Sequence, residues 1–367
     1  MLCNGIALTD FRNIETACVR FDEGVNVLYG QNAQGKTNLL EAIYYAALGK
    51  SFRGQHAPEV IRFGTEGGCV SLDFTAAGRT QNITMRLFHN RARAVEKNKV
   101  RVSKMSELVG SFRAVLFCPE HLSLIKGGPA ERRQFLDIAV SASEPVYLAT
   151  LQRYTQILKQ RNALIKKAKD EPELFASTVD IWSAQLAREA AYIARSRARY
   201  VRRAEKFVKQ CFADMTGERE LPELKYLGPD KNGGDYEDIA ATERMLYEKL
   251  STHHDREIGA GSTLWGVHKD DIDVELNGHS ARLFGSQGQQ RSLALALKIA
   301  EGEICREDCG EYPVFLFDDV LSELDGRRRA YLLEQMNGKQ VILTSCEQIA
   351  AFKGKKMYVE NGTIREM

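Results

Sequence analysis

Apolar and polar positions along this chain of 367 residues fall into successive textures. Up to about Phe117 the apolar runs are short and bounded by Gly, Asn and Asp. Val25-Asn-Val-Leu-Tyr29, Cys69-Val-Ser-Leu-Asp-Phe74 and Ile83-Thr-Met-Arg-Leu-Phe88 each predict a strand, the last two antiparallel. From Arg91 to Lys104 a basic stretch suits either a hairpin with an exposed face or a solvated loop. From about Ala130 the period lengthens. Tyr154, Leu158 and Ile165 form one stripe, and Trp182, Leu186, Ala190, Ile193, Val201, Ala204, Val208 and Cys211 a second, at steps of mostly three and four. Pro172 separates the stripes, which predicts two or more helices packed as a hairpin-like arm. After the turn residues Gly228-Pro-Asp-Lys-Asn-Gly-Gly-Asp235, Ile272, Val274 and Leu276 alternate with Asp273 and Glu275 and run into Asn277-Gly278, a hairpin signal.

Composition adds limits. Apolar content of 44% and charged content of 27% are ordinary for a globular protein, and a net charge of +2 excludes a polycation. Any nucleic-acid surface is therefore local. The eight cysteines are scattered, and Cys305-x-x-x-Cys309 lacks the second pair that a metal site needs. No leader opens the chain, and no apolar run approaches the roughly 18 residues of a membrane span. The expectation is a reduced, cytoplasmic protein with no membrane partner.

Charge is segregated in the helical part. Residues 151–210 hold 14 Lys/Arg against 6 Asp/Glu, whereas residues 211–255 hold 5 against 11. Arg195, Arg199, Arg202, Lys206 and Lys209 recur at steps of four, three, four and three, on one helix face. They make either a track for a DNA phosphate backbone or a solvated face partly paired with the acidic segment that follows.

Three motifs carry chemistry. Gly30-Gln31-Asn32-Ala33-Gln34-Gly35-Lys36-Thr37 matches the Walker A phosphate loop, between a strand and the helix begun by Asn38. Such a loop cradles ATP phosphates with main-chain N–H groups; Lys36 would reach the β and γ phosphates and Thr37 would hold Mg²⁺. Pro313-Val-Phe-Leu-Phe-Asp318-Asp319 is an apolar strand ending in two acids, a Walker B pattern. Asp318 is then a Mg²⁺ ligand and Asp319 the group that orients the attacking water; a helix N-cap cluster gives the same residues. Ser286-Gln-Gly288-Gln289, at the head of a helix, resembles the signature motif of ATP-binding-cassette ATPases.

The order of these motifs, together with Asp10-Phe-Arg12-Asn13, Gly49-Lys-Ser-Phe-Arg53, Phe117-Cys-Pro-Glu120, Gly127-Gly-Pro-Ala-Glu-Arg-Arg-Gln-Phe-Leu-Asp137, Gly266-Val-His-Lys-Asp-Asp271 and Asp318-Asp-Val-Leu-Ser-Glu-Leu-Asp325, resembles the RecF family of bacterial DNA replication and repair proteins. There are departures. The family tends to Gly-Pro-His-Arg-Asp-Asp where this chain has Val267 and Lys269, and many cassette ATPases carry Glu at Asp319. The shorter carboxylate predicts slow hydrolysis. Thr344 or Ser345 occupies the position of the transporters' switch His.

The resemblance implies an α/β fold: an ABC-type P-loop ATPase head, a mixed sheet with flanking helices, carrying an inserted α-helical arm. The expected division is 1–118 for the first part of the head, 119–269 for the arm and 270–367 for the rest. It implies an ATP-dependent homodimer in which Ser286, Gly288 and Gln289 of one copy cap the γ-phosphate held by Lys36 of the other. It implies duplex and gapped DNA as ligand, RecO and RecR as partners and RecA as the protein loaded. Arg12 and Asn13 would touch nucleotide phosphates and Glu120 would take a bridging-loop role; ordinary turn chemistry accounts for them equally. His253 and His254 are expected at the surface without metal. Two other classes compete: a transporter-type nucleotide-binding subunit, which the 250 positions between Lys36 and Ser286 disfavour, and a scaffold that binds ATP without hydrolysis.

Overall fold

The first ten residues after Met1 already show how the chain builds its sheets. In strand β1 (Leu2–Phe11) Ile6 and Leu8 point inward, while Ala7 and Thr9 face out or to the margin. A tight turn at Arg12 and Asn13, with Arg12 at φ 54, returns the chain as β2 (Ile14–Arg20) in the register Phe11↔Ile14. The structure, a computed structural model, describes residues 1–53, 57–217, 220–231, 233–346 and 354–366.

Two compact units emerge, residues 1–121 with 298–367, and residues 122–297. The first continues with β3 (Val25–Tyr29), α1 (Lys36–Leu48), β4 (Gly67–Ala76), β5 (Arg79–Phe88), β6 (Ala94–Lys97), β7 (Val100–Arg101) and β8 (Ala114–Phe117). The basic stretch 91–104 thus forms the β6–β7 hairpin. One antiparallel sheet has the order β2-β1-β4-β5-β6-β7. Its inward residues, among them Val70, Leu72, Phe74, Ile83, Met85 and Leu87, share a core with Leu39, Leu40 and Ile43 of α1.

The second unit holds α2 (Ser123–Lys126), α3 (Pro129–Ser143), α4 (Pro145–Lys167), α5 (Pro172–Thr216), β9 (Pro222–Leu227), α6 (Ile239–Thr252), α7 (His254–Ala260), β10 (Asp271–Leu276), β11 (His279–Ser280), α8 (Ala281–Phe284) and the start of α9 (Gln287–Cys309). Three of these helices open with proline at the first position, where its missing N–H has no helical partner to lose. Pro172 therefore starts α5, which runs 45 residues, about 67 Å, to an αL cap at Gly217. Strand β10 pairs with β9 and β11, so the segment after residue 270 lies with the second unit until 297/298.

The chain returns to the first unit with β12 (Val314–Phe317), α10 (Gly326–Gln335), β13 (Val341–Ser345), β14 (Lys355–Glu360) and β15 (Thr363–Glu366). These complete a mixed sheet, β15-β14-β3-β13-β12-β8, whose β12 is buried along its whole length between parallel neighbours. A continuous apolar run is what such a position demands.

Candidate nucleotide site and signature turn

The phosphate loop leaves the end of β3 and enters α1. Gly30 has φ 152, and a Cβ there would stand 2.3 Å from the Val359 carbonyl oxygen, so only glycine passes. Gly35, at φ 114, is the N-cap of α1, and its would-be Cβ meets the Asn13 amide at 2.9 Å. Neighbouring turns pin the loop's rim. The Gly362 N–H donates to the Gln34 carbonyl (2.8 Å) and the Asn361 N–H to Gln34 Oε1 (2.7 Å). Asn38 Nδ2 donates to Asn13 Oδ1 (2.7 Å), and the Cys346 thiol to Asn32 Oδ1 (3.0 Å). Ala33 sits in the left-handed region at φ 64.

Lys36 is buried, and its ammonium donates to the Gly30 and Gln31 carbonyls at 2.5 and 2.8 Å. Beside it, the hydroxyls of Thr37 and Thr344 converge on one oxygen, Asp318 Oδ1, at 2.9 and 2.8 Å. Burial pushes the Asp318 carboxyl above its ordinary range, against the pull of the Thr344 and Thr37 hydroxyls. A hydroxyl and a carboxylate of this kind are the hard oxygen donors that suit Mg²⁺.

Asp319 turns the chain out of β12. It lies in the left-handed region at φ 51, its N–H donates to Thr344 Oγ1 (2.9 Å), and its side chain makes no cap bond to the short helical turn that follows. The N-cap alternative for the paired acids is therefore not realised at Asp319. A non-glycine residue held at positive φ costs of order 1–3 kcal/mol, the kind of strain that collects at functional sites.

Arg12, the candidate phosphate contact, is braced within its own unit. Its guanidinium forms a two-pronged bond to the buried Glu41 (3.1 and 2.7 Å) and a third to the Glu59 carbonyl (2.7 Å). Asn13 is the member of that turn that touches the loop, with a 3.3 Å bond to the Gln34 carbonyl. Glu120 is exposed.

In the second unit the signature turn is a reciprocal capping box. Ser286 Oγ accepts from the Gln289 N–H (3.3 Å), and Gln289 Oε1 accepts from the Ser286 N–H (2.7 Å). The other end of the Gln289 amide donates to Glu220. Gly288 lends its carbonyl to Ser292 (2.9 Å).

The five candidate DNA-binding cations share α5. Arg195 and Arg202 both pair with Glu237, whose carboxyl they hold below its usual range, and Lys209 pairs with Glu205 at 2.7 Å. Arg199 and Lys206 are exposed and, among the described residues, form no hydrogen bond or ion pair. Partial pairing with the acidic segment thus coexists with free cations. His253 and His254 correct the expectation of surface histidines: both are half-buried, His253 against Trp265 (4.8 Å) and His254 against Phe175 (5.4 Å).

Sequence reasoning missed a buried polar network. Arg197 donates to Tyr147 (3.0 Å), Val267 carbonyl (2.7 Å), Asp270 (2.9 Å) and Asp137 (2.8 Å). Arg132 grips Asp271 with two bonds, 2.6 and 2.9 Å. The 127–137 and 266–271 blocks are therefore partners in one lock. Only the density of charge in the two blocks could have signalled it.

The mixed sheet, the phosphate loop on β3–α1 and the acids ending β12 define an ABC-type P-loop ATPase head. The RecF/RecN/SMC N-terminal domain model matches residues 2–361. The chain belongs to the RecF family of DNA replication and repair proteins. It is 37% identical to the RecF of Ruminiclostridium cellulolyticum, over 94% of this chain and 92% of that protein. It is 34% identical to the RecF of Clostridium novyi over the full length of both. Among solved structures, the recombination mediator protein RecF with ATP, in the RecFOR pathway, superposes with a TM-score of 0.93 at 32% identity, over 100% of this chain and 97% of that one. The Smc head of Pyrococcus furiosus, at 17% identity and a TM-score of 0.59, shares the fold. Among the described residues no helix is long and apolar enough to cross a membrane.

Proposed function

We propose that this chain is an ATP-dependent DNA-binding protein of recombinational repair and replication restart, acting in the cytoplasm as an ATP-gated homodimer. Gly30 to Asn38 hold the phosphates, with Lys36 on the β and γ groups; Arg12 braces the adjoining turn through Glu41. Thr37 and Asp318 hold Mg²⁺, which when bound neutralises charge on the phosphate oxygens. Asp319 orients the attacking water, and its short carboxylate makes turnover slow. Ser286, Gly288 and Gln289 reach the γ-phosphate held by a second copy, so nucleotide links the two chains and hydrolysis releases them. The closed pair grips duplex or gapped DNA along the Arg195, Arg199, Arg202, Lys206 and Lys209 face, which stimulates the ATPase. With RecO and RecR it helps load RecA at single-strand gaps.

The observation that carries this reading is the convergence of Thr37 and Thr344 on Asp318 Oδ1 beside the buried Lys36. Its test is Lys36→Ala, which loses ATP binding and ATP-dependent dimerisation together. A Lys36→Ala protein that still dimerises with ATP contradicts it.

A further inference from the structure

Leu283 and Phe284 are 73% and 74% exposed, on a four-residue helix whose Ala281 is buried. They are held out rigidly. Gln290, itself buried, donates to the Ala281 carbonyl (2.9 Å) and the Arg282 carbonyl (3.3 Å), tying α8 to the head of α9. His279 meets Phe284 edge-on at 6.0 Å. Leu221 is 55% exposed. Its neighbour Glu220 accepts from Gln289, and its main chain bonds Asn277 in both directions, at 2.8 and 2.9 Å. Phe284 and Leu283 thus precede Ser286 by two and three residues, and Leu221 adjoins Glu220, which holds the Gln289 amide.

We propose that Leu283, Phe284 and Leu221 are the apolar anchor of the interface between two copies of this chain, covered when the signature turn of one copy seats on the phosphate loop of the other. The inference rests on the dimer reading above. Reach decides the occupant. Phe284 is two residues from Ser286, so their Cα atoms are at most about 7 Å apart. A standard interface covers about 800 Å² of each partner, a patch about 16 Å in radius. An interface centred on Ser286 therefore extends past the position of Phe284. The signature turn itself is polar and hydrogen-bonded internally, so it supplies nucleotide recognition but little apolar area. Exposed Leu and Phe beside it supply the desolvated contacts in which binding energy concentrates.

The test uses Leu283→Ala/Phe284→Ala in an Asp319→Asn background, where ATP persists. The double variant binds ATP as the parent does, while the dissociation constant of its ATP dimer rises roughly 100-fold. A parent that dimerises with ATP and a double variant that dimerises equally well overturn the anchor and leave the dimer reading standing. A parent that stays monomeric with ATP overturns both. A variant that dimerises normally but no longer binds DNA assigns the patch to DNA and overturns the anchor. Phe284→Trp keeps an aromatic in place: its emission after subtraction of the parent's, which comes from Trp182 and Trp265, moves to the blue with ATP and stays with ADP, and identical difference spectra overturn the proposal.

Discussion

Thr37 donates its hydroxyl proton to Asp318 Oδ1 across 2.9 Å, joining residues 281 positions apart in the chain. Thr344 donates to the same oxygen at 2.8 Å and takes the N–H of Asp319 in turn. Three sequence segments from β3–α1, β12 and β13 are thereby locked into one constellation, with Asp319 aimed by backbone conformation rather than by a side-chain bond.

Asp319→Asn keeps the size of the side chain but removes its charge and basicity. Turnover of ATP falls by about 100-fold or more, the usual contribution of a positioned base, while ATP affinity is retained. Single-turnover kinetics on the two proteins check this, and unchanged turnover removes Asp319 from its role.

Arg199→Glu/Arg202→Glu reverses charge on the exposed face of α5. Affinity for duplex DNA falls, and the slope of log K against log salt drops by about one unit for each phosphate the face ceases to neutralise. Arg199, free of a partner among the described residues, contributes more than Arg202, which already shares Glu237. A salt titration of DNA binding with an unchanged slope returns the face to ordinary solvation.

Asp270 gives a pH signature. Burial pushes its carboxyl up to about 7, against the pull of the Arg197 guanidinium. The folded value exceeds the ordinary 3.8, so the protonated form favours the folded state. That stability is fully present below about pH 4 and is lost as pH rises toward about 7. Urea unfolding of the parent and of Asp270→Asn across this window shows the parent losing stability relative to the variant, with a constant difference above it. A difference that stays flat across the whole window contradicts the assignment.

Arg161 and Glu257 form a fully buried pair at 2.6 Å, and Arg161 also donates to Ser183, Thr263 and the Leu250 carbonyl. Arg161→Met takes the ion-pair partner from the buried Glu257, and destabilises the protein by about 3–5 kcal/mol. Denaturant melts measure it directly, and a change under about 1 kcal/mol contradicts the account.

What the sequence made legible follows the range of the forces involved. The phosphate loop, the Walker B strand and the signature turn at Ser286 are local, each written in consecutive residues, so each was recognisable as a motif. The α4 and α5 stripes were legible because one period runs through many turns, and Pro172 marks α5's first residue. The Arg197–Asp270–Asp137 lock was not legible, because charged residues 60 and 73 positions apart meet only after the sheet and helices pack. For the same reason the bond of Arg12 to Glu41, 29 positions on, was not legible either.

The central claim is that nucleotide joins two copies of the chain. Light scattering on the Asp319→Asn protein, with ATP or ADP and with or without duplex DNA, measures it most directly. The account predicts a monomer with ADP and a dimer with ATP, further favoured by DNA. A monomer under every condition leaves the phosphate loop in place and contradicts the ATP-gated dimer.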